Sequence, residues 1–513
     1  MQRLTSGTPG SGLKAAVLVP RWTDRGEVET QGTPFRVLLL VGAMMARGVE
    51  VVFFDQEHDE HRTDRWGEFA AEVQAVDAAF IWLNELYPSN QCHNSFALAE
   101  RLRSVRPDLP IVLGGEFVSI CPPEFFDFDH PFDFVLQGYG EESTLDLLQA
   151  LTGSKSLESV PGLVRRTEGG WVSQPRATRA PKLDDAMAAI YEHIDMRPYI
   201  QTGGVFGNDQ PTLTLALGRG CTKGCDFCAW SNHPASLLQA GTIFRTFEIL
   251  FERYGVRQFH IGELDFFVSR SRALRLAELI ASSTHDIVWF ALGSPIDLAR
   301  FSDDDWDALR DGGLRKVEMG SESASSRLLP LIGKSHDPED IYRISCKMLE
   351  RGIVPMNNFL FGFPDECDDD RFANLKMIDR LAAVSTTGNH FTYRYYQPTW
   401  DTPLGERAIA QVPNAPTRLD AWLATRDDFI DEKRRTLPWL SARDERVVKQ
   451  LINHDLPLAT SRIPIESRIR DRVYRQLRSR ARQRLRSGSM STPVERWMFD
   501  RFVRRPLDQT YVR

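Results

Sequence analysis

Three cysteines, Cys221, Cys225 and Cys228, fall within eight residues in the spacing C-x3-C-x2-C. An apolar, β-prone run at 212–217 and an Arg219-Gly220 turn precede them, so one loop at a strand end carries all three thiols. Thiolates this close can hold three irons of a [4Fe–4S] cube and leave the fourth iron without a protein ligand. A closed zinc site asks for four ligands, usually in two pairs, and no second pair follows. A disulfide with a spare thiol belongs to secreted chains, and no secretory segment is present. Phe227, directly before the third cysteine, is a flanking feature that a zinc loop does not need.

With that aromatic residue, the loop resembles the signature of the radical S-adenosylmethionine (radical SAM) enzymes. The resemblance implies that the amino and carboxylate groups of S-adenosyl-L-methionine chelate the open iron. It implies as well that an electron from the cluster cleaves the sulfonium to a 5′-deoxyadenosyl radical, with a donor such as flavodoxin or ferredoxin upstream. It names no substrate.

Chemistry of this kind has to be held at strand ends, and the stretch after the cysteines supplies them. Apolar runs at 256–266, 287–294, 314–323, 353–366 and 389–400 alternate with helical stretches of about a dozen residues. Together with 212–217 they predict a partial (β/α)6, TIM-like barrel with its working residues at the carboxyl ends of the strands. Gly262, Glu263 and Asp265 end one strand and resemble the family's site for the amino group of S-adenosylmethionine. Ile261 replaces the first glycine of the usual Gly-Gly-Glu, which leaves Glu263 and Asp265 as alternatives, and either acid could instead cap a helix. Gly320-Ser321-Glu322-Ser323, followed by Lys334, resembles the family's ribose-binding turn, with Glu322 positioned to accept two hydroxyls and Ser323 able to cap the next helix. Gly362-Phe363-Pro364-Asp365-Glu366 resembles its adenine-side turn. On the last strand, period two sends Tyr393 and Tyr395 to one face and Arg394 and Tyr396 to the other. Tyr393 and Tyr395 are candidates to orient substrate or pass a proton, with core packing as the alternative.

The segment before the cysteines also alternates. Strands are expected at 15–20, 49–55, 77–84, 111–117 and 132–143, with helices between them, which predicts a doubly wound parallel sheet. Such sheets bind ligands at their carboxyl edge. Gly114-Gly115 and Gly138-Tyr139-Gly140-Glu141 follow adjacent strands, where they serve either tight turns or the close approach of a flat ligand. The segment resembles the cobalamin-binding domain that precedes the barrel in one branch of the family, which makes Gly114, Gly115, Gly138, Gly140 and Glu141 the implied corrin contacts. The Asp-x-His-x-x-Gly motif that supplies a histidine to cobalt elsewhere is absent. Asp59-Glu60-His61 comes near it, but Asp64 stands where glycine is required, so His58 and His61 read as a solvated loop and no imidazole on cobalt is expected.

Length and composition bound the rest. The chain has 513 residues, 26% charged and 42% hydrophobic, with net charge −7. That is the composition of a globular protein, with no whole-chain case for nucleic acid or an anionic membrane. No apolar run reaches membrane-spanning length, and the cytoplasm is expected. Cys92, Cys121, Cys346 and Cys367 are scattered and read as buried free thiols. The expected organisation is a loose start at 1–12, a Rossmann-like cobalamin-binding domain at 13–155 and a connector at 156–205 with a hairpin at Gly169-Gly170 and a Leu183-Asp184 bridge. A radical SAM domain follows at 206–410, then a helical region at 411–513. Trp422, Phe429, Trp439 and Leu440 anchor that last region, and its arginine-rich stretch from Arg462 to Arg486 is expected to pack on the acidic protein itself.

The resemblance as a whole implies a cobalamin-dependent C-methyltransferase that acts on an unactivated carbon of a small molecule, with a secondary metabolite as the expected substrate class. A non-methylating rearrangement on the same cofactors is the alternative within the branch. A cobalamin sensor with an inactive barrel is the alternative outside it.

Overall fold

The computed structural model describes residues 1–5, 11–21, 33–84, 90–181, 183, 190–202, 209–231, 234–385, 388–412, 415–424, 436–460 and 468–487. Asp184, Phe429 and Arg462 lie outside the described residues, as does the side chain of Trp422.

The first sheet holds β1 (Gln2–Leu4), β2 (Lys14–Val19), β3 (Glu50–Asp55), β4 (Ala78–Leu83), β5 (Ile111–Gly115), β6 (Phe134–Leu136), β7 (Leu163–Thr167) and β8 (Gly170–Ser173). Its order is β1-β3-β2-β4-β5-β6-β7-β8. Strands β2 to β6 run parallel, and β1, β7 and β8 are antiparallel additions at the two edges. The central strands are apolar along their whole length because helices cover both faces. Val17 and Phe80 face a core with the helix Phe35–Ala46, while Leu18 and Ile81 face a second core with Phe69 and Leu98. The hairpin read as part of a connector is thus the far edge of this sheet. The stretch after β3 is also more ordered than a solvated loop. Gln56–Arg62 forms a π-helix, Glu57 and Asp59 are buried, and Asp59 takes the Met1 amino group.

The second sheet is the partial barrel: β9 (Thr212–Leu215), β12 (Gln258–Ile261), β13 (Val288–Gly293), β14 (Leu314–Glu322), β15 (Val354–Phe361) and β16 (His390–Tyr395), in that order. All neighbours are parallel. Between β9 and β12, the short ladder of β10 (Gly218–Arg219) with β11 (Ser236–Leu237) closes the base of the cysteine loop. Helices return the chain between strands; Ala240–Tyr254 ends on Gly255 at φ +69°, the left-handed cap that glycine adopts without strain.

The carboxy-terminal helices pack on the helix Asp368–Val384. Asp379 receives Arg482 at 2.8 Å and Arg486 at 2.7 Å, so these arginines are spent on the protein's own acids, as expected for the basic stretch. Among the described residues no helix is long and apolar enough to cross a membrane.

Candidate functional site

The cysteine loop has little regular structure, so other elements must fix its shape. Asp226 N–H donates to the Ile332 carbonyl at 3.1 Å, and Leu404 N–H to the Asp226 carbonyl at 3.0 Å. Two glycines allow the loop to be clasped this closely. A Cβ on Gly220, which sits at φ +67°, would lie 2.2 Å from the Pro234 carbonyl oxygen. One on Gly333, at φ +72°, would lie 2.7 Å from the Gly224 carbonyl oxygen. Cys225 is buried, Cys221 and Cys228 are half-buried, and all three are free thiols. Burial pushes each thiol up, Cys228 to about 12. Among the described residues no three His, Cys, Asp or Glu side chains converge on one ion position. A cube asks for a different geometry, one thiolate on each of three irons.

Lys334 joins this loop to the turn at the end of β14. Its ammonium lies 3.5 Å from Glu322 Oε1 and 5.9 Å from the centre of the Phe227 ring. Burial lowers the Lys334 pKa, but Glu322, Cys225 and Cys228 together outweigh it and hold the lysine charged. Glu322 itself stands at φ +56°, in the left-handed region. Ser323 plays no such part: it is fully buried and its hydroxyl donates to Asn374 Oδ1 at 2.9 Å. Gly362 is also committed within the protein. Its N–H donates to Glu366 at 2.6 Å and its carbonyl accepts from Trp439 Nε1 at 2.8 Å.

The structure separates the two acids after β12. Glu263 is buried in an ion pair with Arg272, under Gly218, where a Cβ would meet its carboxyl carbon at 2.8 Å. Asp265 instead faces the cysteine loop, 3.9 Å from the ammonium of Lys223. Lys223 is paired with Asp297, which also receives Ser294 Oγ at 2.7 Å. Burial and the adjacent Asp297 raise the Asp265 carboxyl well above the usual range, and its Oδ2 is buried with no hydrogen-bond partner among the described residues, the Lys223 ammonium at 3.9 Å being beyond hydrogen-bond reach. Glu263 Oε2 and Asp265 Oδ2 are both buried without a hydrogen-bond partner among the described residues, so place separates the acids: Asp265 beside the cysteine loop can meet an incoming ammonium, whereas Glu263 is already clamped by a guanidinium.

Tyr393 and Tyr395 lie on the packed face of the last barrel strand. Tyr393 pairs in register with Phe359 and Tyr395 with Phe361, on the face turned to the helices, and Tyr393 donates to Thr460 at 3.0 Å. The opposite face carries Thr392, Asn358 and Glu318 as a hydrogen-bonded series.

An open cavity lies between the two sheets, lined by Trp82, Gly115, Glu116, Ser119, Gly138 and Tyr139 from the first and by Arg219, Ala229 and Trp230 from the cysteine loop. Of the implied corrin contacts, Gly115 and Gly138 are in this lining. Gly114 and Gly140 are not, because Trp82 lies on them: a Cβ on Gly114 would be 2.2 Å from the indole, and one on Gly140 2.4 Å. Glu141 is 1% exposed and takes Arg219 Nε at 2.6 Å, which makes it a tie between the domains. Sequence reasoning missed Trp82, Glu116, Lys223 and Arg219. The last three had a visible signal, since each adjoins or lies within a motif already singled out.

Comparison with known proteins agrees with this geometry. Residues 215–378 match the Radical SAM superfamily and residues 22–148 match the B12 binding domain. The chain is 25% identical over 292 residues to an uncharacterised methyltransferase of Pyrococcus horikoshii, covering 56% of this chain and 62% of that one. It is 24% identical over 340 residues to the cobalamin-dependent radical SAM methyltransferase TokK of Streptomyces tokunonensis, covering 62% of this chain and 45% of TokK. The chain therefore spans less than two thirds of either relative. The fold is similar to that of TsrM from Kitasatospora setae, solved with cobalamin and a [4Fe–4S] cluster bound, at TM-score 0.65 and 17% identity over 93% of this chain and 97% of that one. The chain belongs to the cobalamin-dependent radical SAM enzymes, and its cofactors are a [4Fe–4S] cluster, S-adenosylmethionine and cobalamin. The residues fit that set: three free thiols on one clasped loop, an acid beside it whose Oδ2 has no hydrogen-bond partner among the described residues, and a cavity at the carboxyl edge of the B12-binding sheet.

Proposed function

We infer that this chain is a C-methyltransferase acting on an unactivated carbon of a small molecule. The observation that carries the reading is the cavity walled on one side by the B12-binding turns and on the other by the cysteine loop. Hydrogen abstraction and methyl delivery must reach one substrate atom, and a single chamber bounded by both sites meets that demand. When bound, the cluster with S-adenosylmethionine supplies hydrogen-atom abstraction and the corrin supplies a transferable methyl group.

The protein's own part is placement. Cys221, Cys225 and Cys228 hold the cluster. Asp265 takes the ammonium of S-adenosylmethionine, Glu322 its ribose hydroxyls, and Lys334 fixes Glu322 against the loop. Phe227 and the Gly262 turn bound the same ligand, and Gly115 and Gly138 leave room for the corrin. A reduced donor of the flavodoxin or ferredoxin class supplies electrons. The small molecule is proposed to be a secondary metabolite.

The test uses reconstituted, reduced protein given S-adenosylmethionine with a trideuterated methyl group and a small-molecule extract of the source cells. A compound that gains the labelled methyl, with S-adenosylhomocysteine and 5′-deoxyadenosine formed in equal amounts, is the expected result. 5′-Deoxyadenosine without label transfer would replace this reading with a rearrangement. No 5′-deoxyadenosine at all would leave only a binding protein.

A further inference from the structure

Four charged side chains, Glu116, Glu141 and Arg219 buried and Arg36 half-buried, meet where the B12-binding sheet joins the cysteine loop. Arg36 Nη1 donates to Glu116 Oε2 at 2.5 Å, and Arg219 Nε donates to Glu141 Oε1 at 2.6 Å. Arg219 Nη2 also donates to the Arg36 carbonyl at 2.8 Å. The Arg36 guanidinium lies 5.3 Å from the centre of the Trp230 ring, next to the cysteine loop. Charges this well buried are stable when each lone pair and proton is used, and costly when one is not.

Two oxygens are not used: Glu141 Oε2, which is outside the cavity lining, and Glu116 Oε1, which is in it; both are buried with no hydrogen-bond partner among the described residues, and Arg219 Nη1 lies 3.9 Å from Glu116 Oε1. Other polar groups of the cavity wall are committed. Ser119 donates to the Gly115 carbonyl at 2.7 Å and accepts from Gly138 N–H at 2.9 Å. Tyr139 donates to the Pro234 carbonyl at 2.6 Å. Among the buried side-chain polar atoms of this lining, Glu116 Oε1 is the one left over. The acid directly follows Gly115, which stands at φ +119°, and it lines the cavity beside Gly138. It therefore sits on the corrin side of the chamber, and what a corrin presents at its rim is primary amides, which are N–H donors.

We propose that Glu116 is a corrin-binding residue, its Oε1 accepting a hydrogen bond from a primary amide on the rim of cobalamin while Arg36 and Arg219 hold the carboxylate in place. Arg36 and Arg219 are then positioning residues, and the guanidinium that ties the cysteine loop to the first domain also braces the acid that receives the corrin. The proposal concerns cobalamin binding alone, so it stands or falls independently of whether methyl transfer is the reaction.

The test measures equilibrium binding of hydroxocobalamin, and of the isomeric monocarboxylic acids in which one rim amide has been hydrolysed, to the full chain with no substrate added. For one isomer, wild-type protein binds the amide at least about tenfold tighter than the acid, the size expected for a lost hydrogen bond to a charged group together with like-charge repulsion. Glu116→Gln weakens binding of cobalamin and removes that discrimination, while iron content and the electron paramagnetic resonance spectrum of the reduced cluster stay as in wild type. A merely structural glutamate would not change which isomer binds. Discrimination unchanged in Glu116→Gln, or no isomer discriminated by wild type, overturns the proposal. Should Glu116→Ala fail to fold, the isomer comparison in wild type and Glu116→Gln still decides.

Discussion

Two acids two residues apart have opposite surroundings, and that contrast predicts opposite phenotypes. Glu263 is buried against Arg272, so Glu263→Gln strands a buried guanidinium; the expected cost is roughly 3–5 kcal/mol, measured by denaturant unfolding. Asp265 faces the cysteine loop, and its Oδ2 has no hydrogen-bond partner among the described residues and only the Lys223 ammonium at 3.9 Å, so Asp265→Asn removes an acceptor for ligand and little of the fold. Its expected signature is weaker S-adenosylmethionine binding by at least about tenfold, read by equilibrium dialysis, with an unfolding midpoint near wild type. Weak ligand binding in Glu263→Gln alone would reverse the assignment. At the cysteines, replacing any one of the three by alanine is expected to abolish the cube in reconstituted protein, seen as loss of the broad thiolate-to-iron absorption, whereas Cys367→Ala, on an exposed thiol, leaves it intact.

Elements were legible in the sequence where their cause is local. The order of strands and helices in both sheets follows from apolar runs and glycine stops, which is why all six barrel strands lie where alternation puts them. Faces were less legible, because the side of a strand that meets the core depends on partners far away in the chain. Period two pairs Tyr393 with Tyr395 correctly, but only the carboxy-terminal Thr460, 67 residues on, shows that their face is the packed one. Gly114 and Gly140 posed the same difficulty, since the indole that needs them belongs to Trp82 on another strand. If Tyr393 is a packing residue, Tyr393→Phe loses one hydrogen bond worth about 1 kcal/mol, lowers the melting temperature slightly and leaves 5′-deoxyadenosine formation at the wild-type rate. A collapse of that rate with the fold intact would return the tyrosine to the reaction.

Across the whole molecule, the two sheets are joined by contacts that converge on the cysteine loop from both sides. Arg219, two residues before Cys221, reaches Glu141, and Tyr139 reaches the Pro234 carbonyl. From the far end of the barrel, Trp400 packs edge-on against Phe125 at 4.6 Å and near Phe117 at 6.2 Å, while Asp401 pairs with Arg176 at 2.6 Å. Leu404, four residues beyond Trp400, holds the loop through its bond to Asp226. The aromatic seat on the first domain and the backbone clasp on the loop are therefore neighbours on one segment. Trp400→Ala removes the seat but keeps the clasp, so cluster content is expected to survive. The loss in stability should be roughly 2 kcal/mol, below the 3–5 kcal/mol of a fully buried tryptophan because this one is only half-buried. Cobalamin affinity should fall with it, since the chamber's two walls are no longer pinned at that corner, and faster amide hydrogen exchange in residues 116–126 and 400–404 would report the loosening. Unchanged exchange and affinity in that variant would mean that Arg219 and Tyr139 alone set the spacing of the two domains.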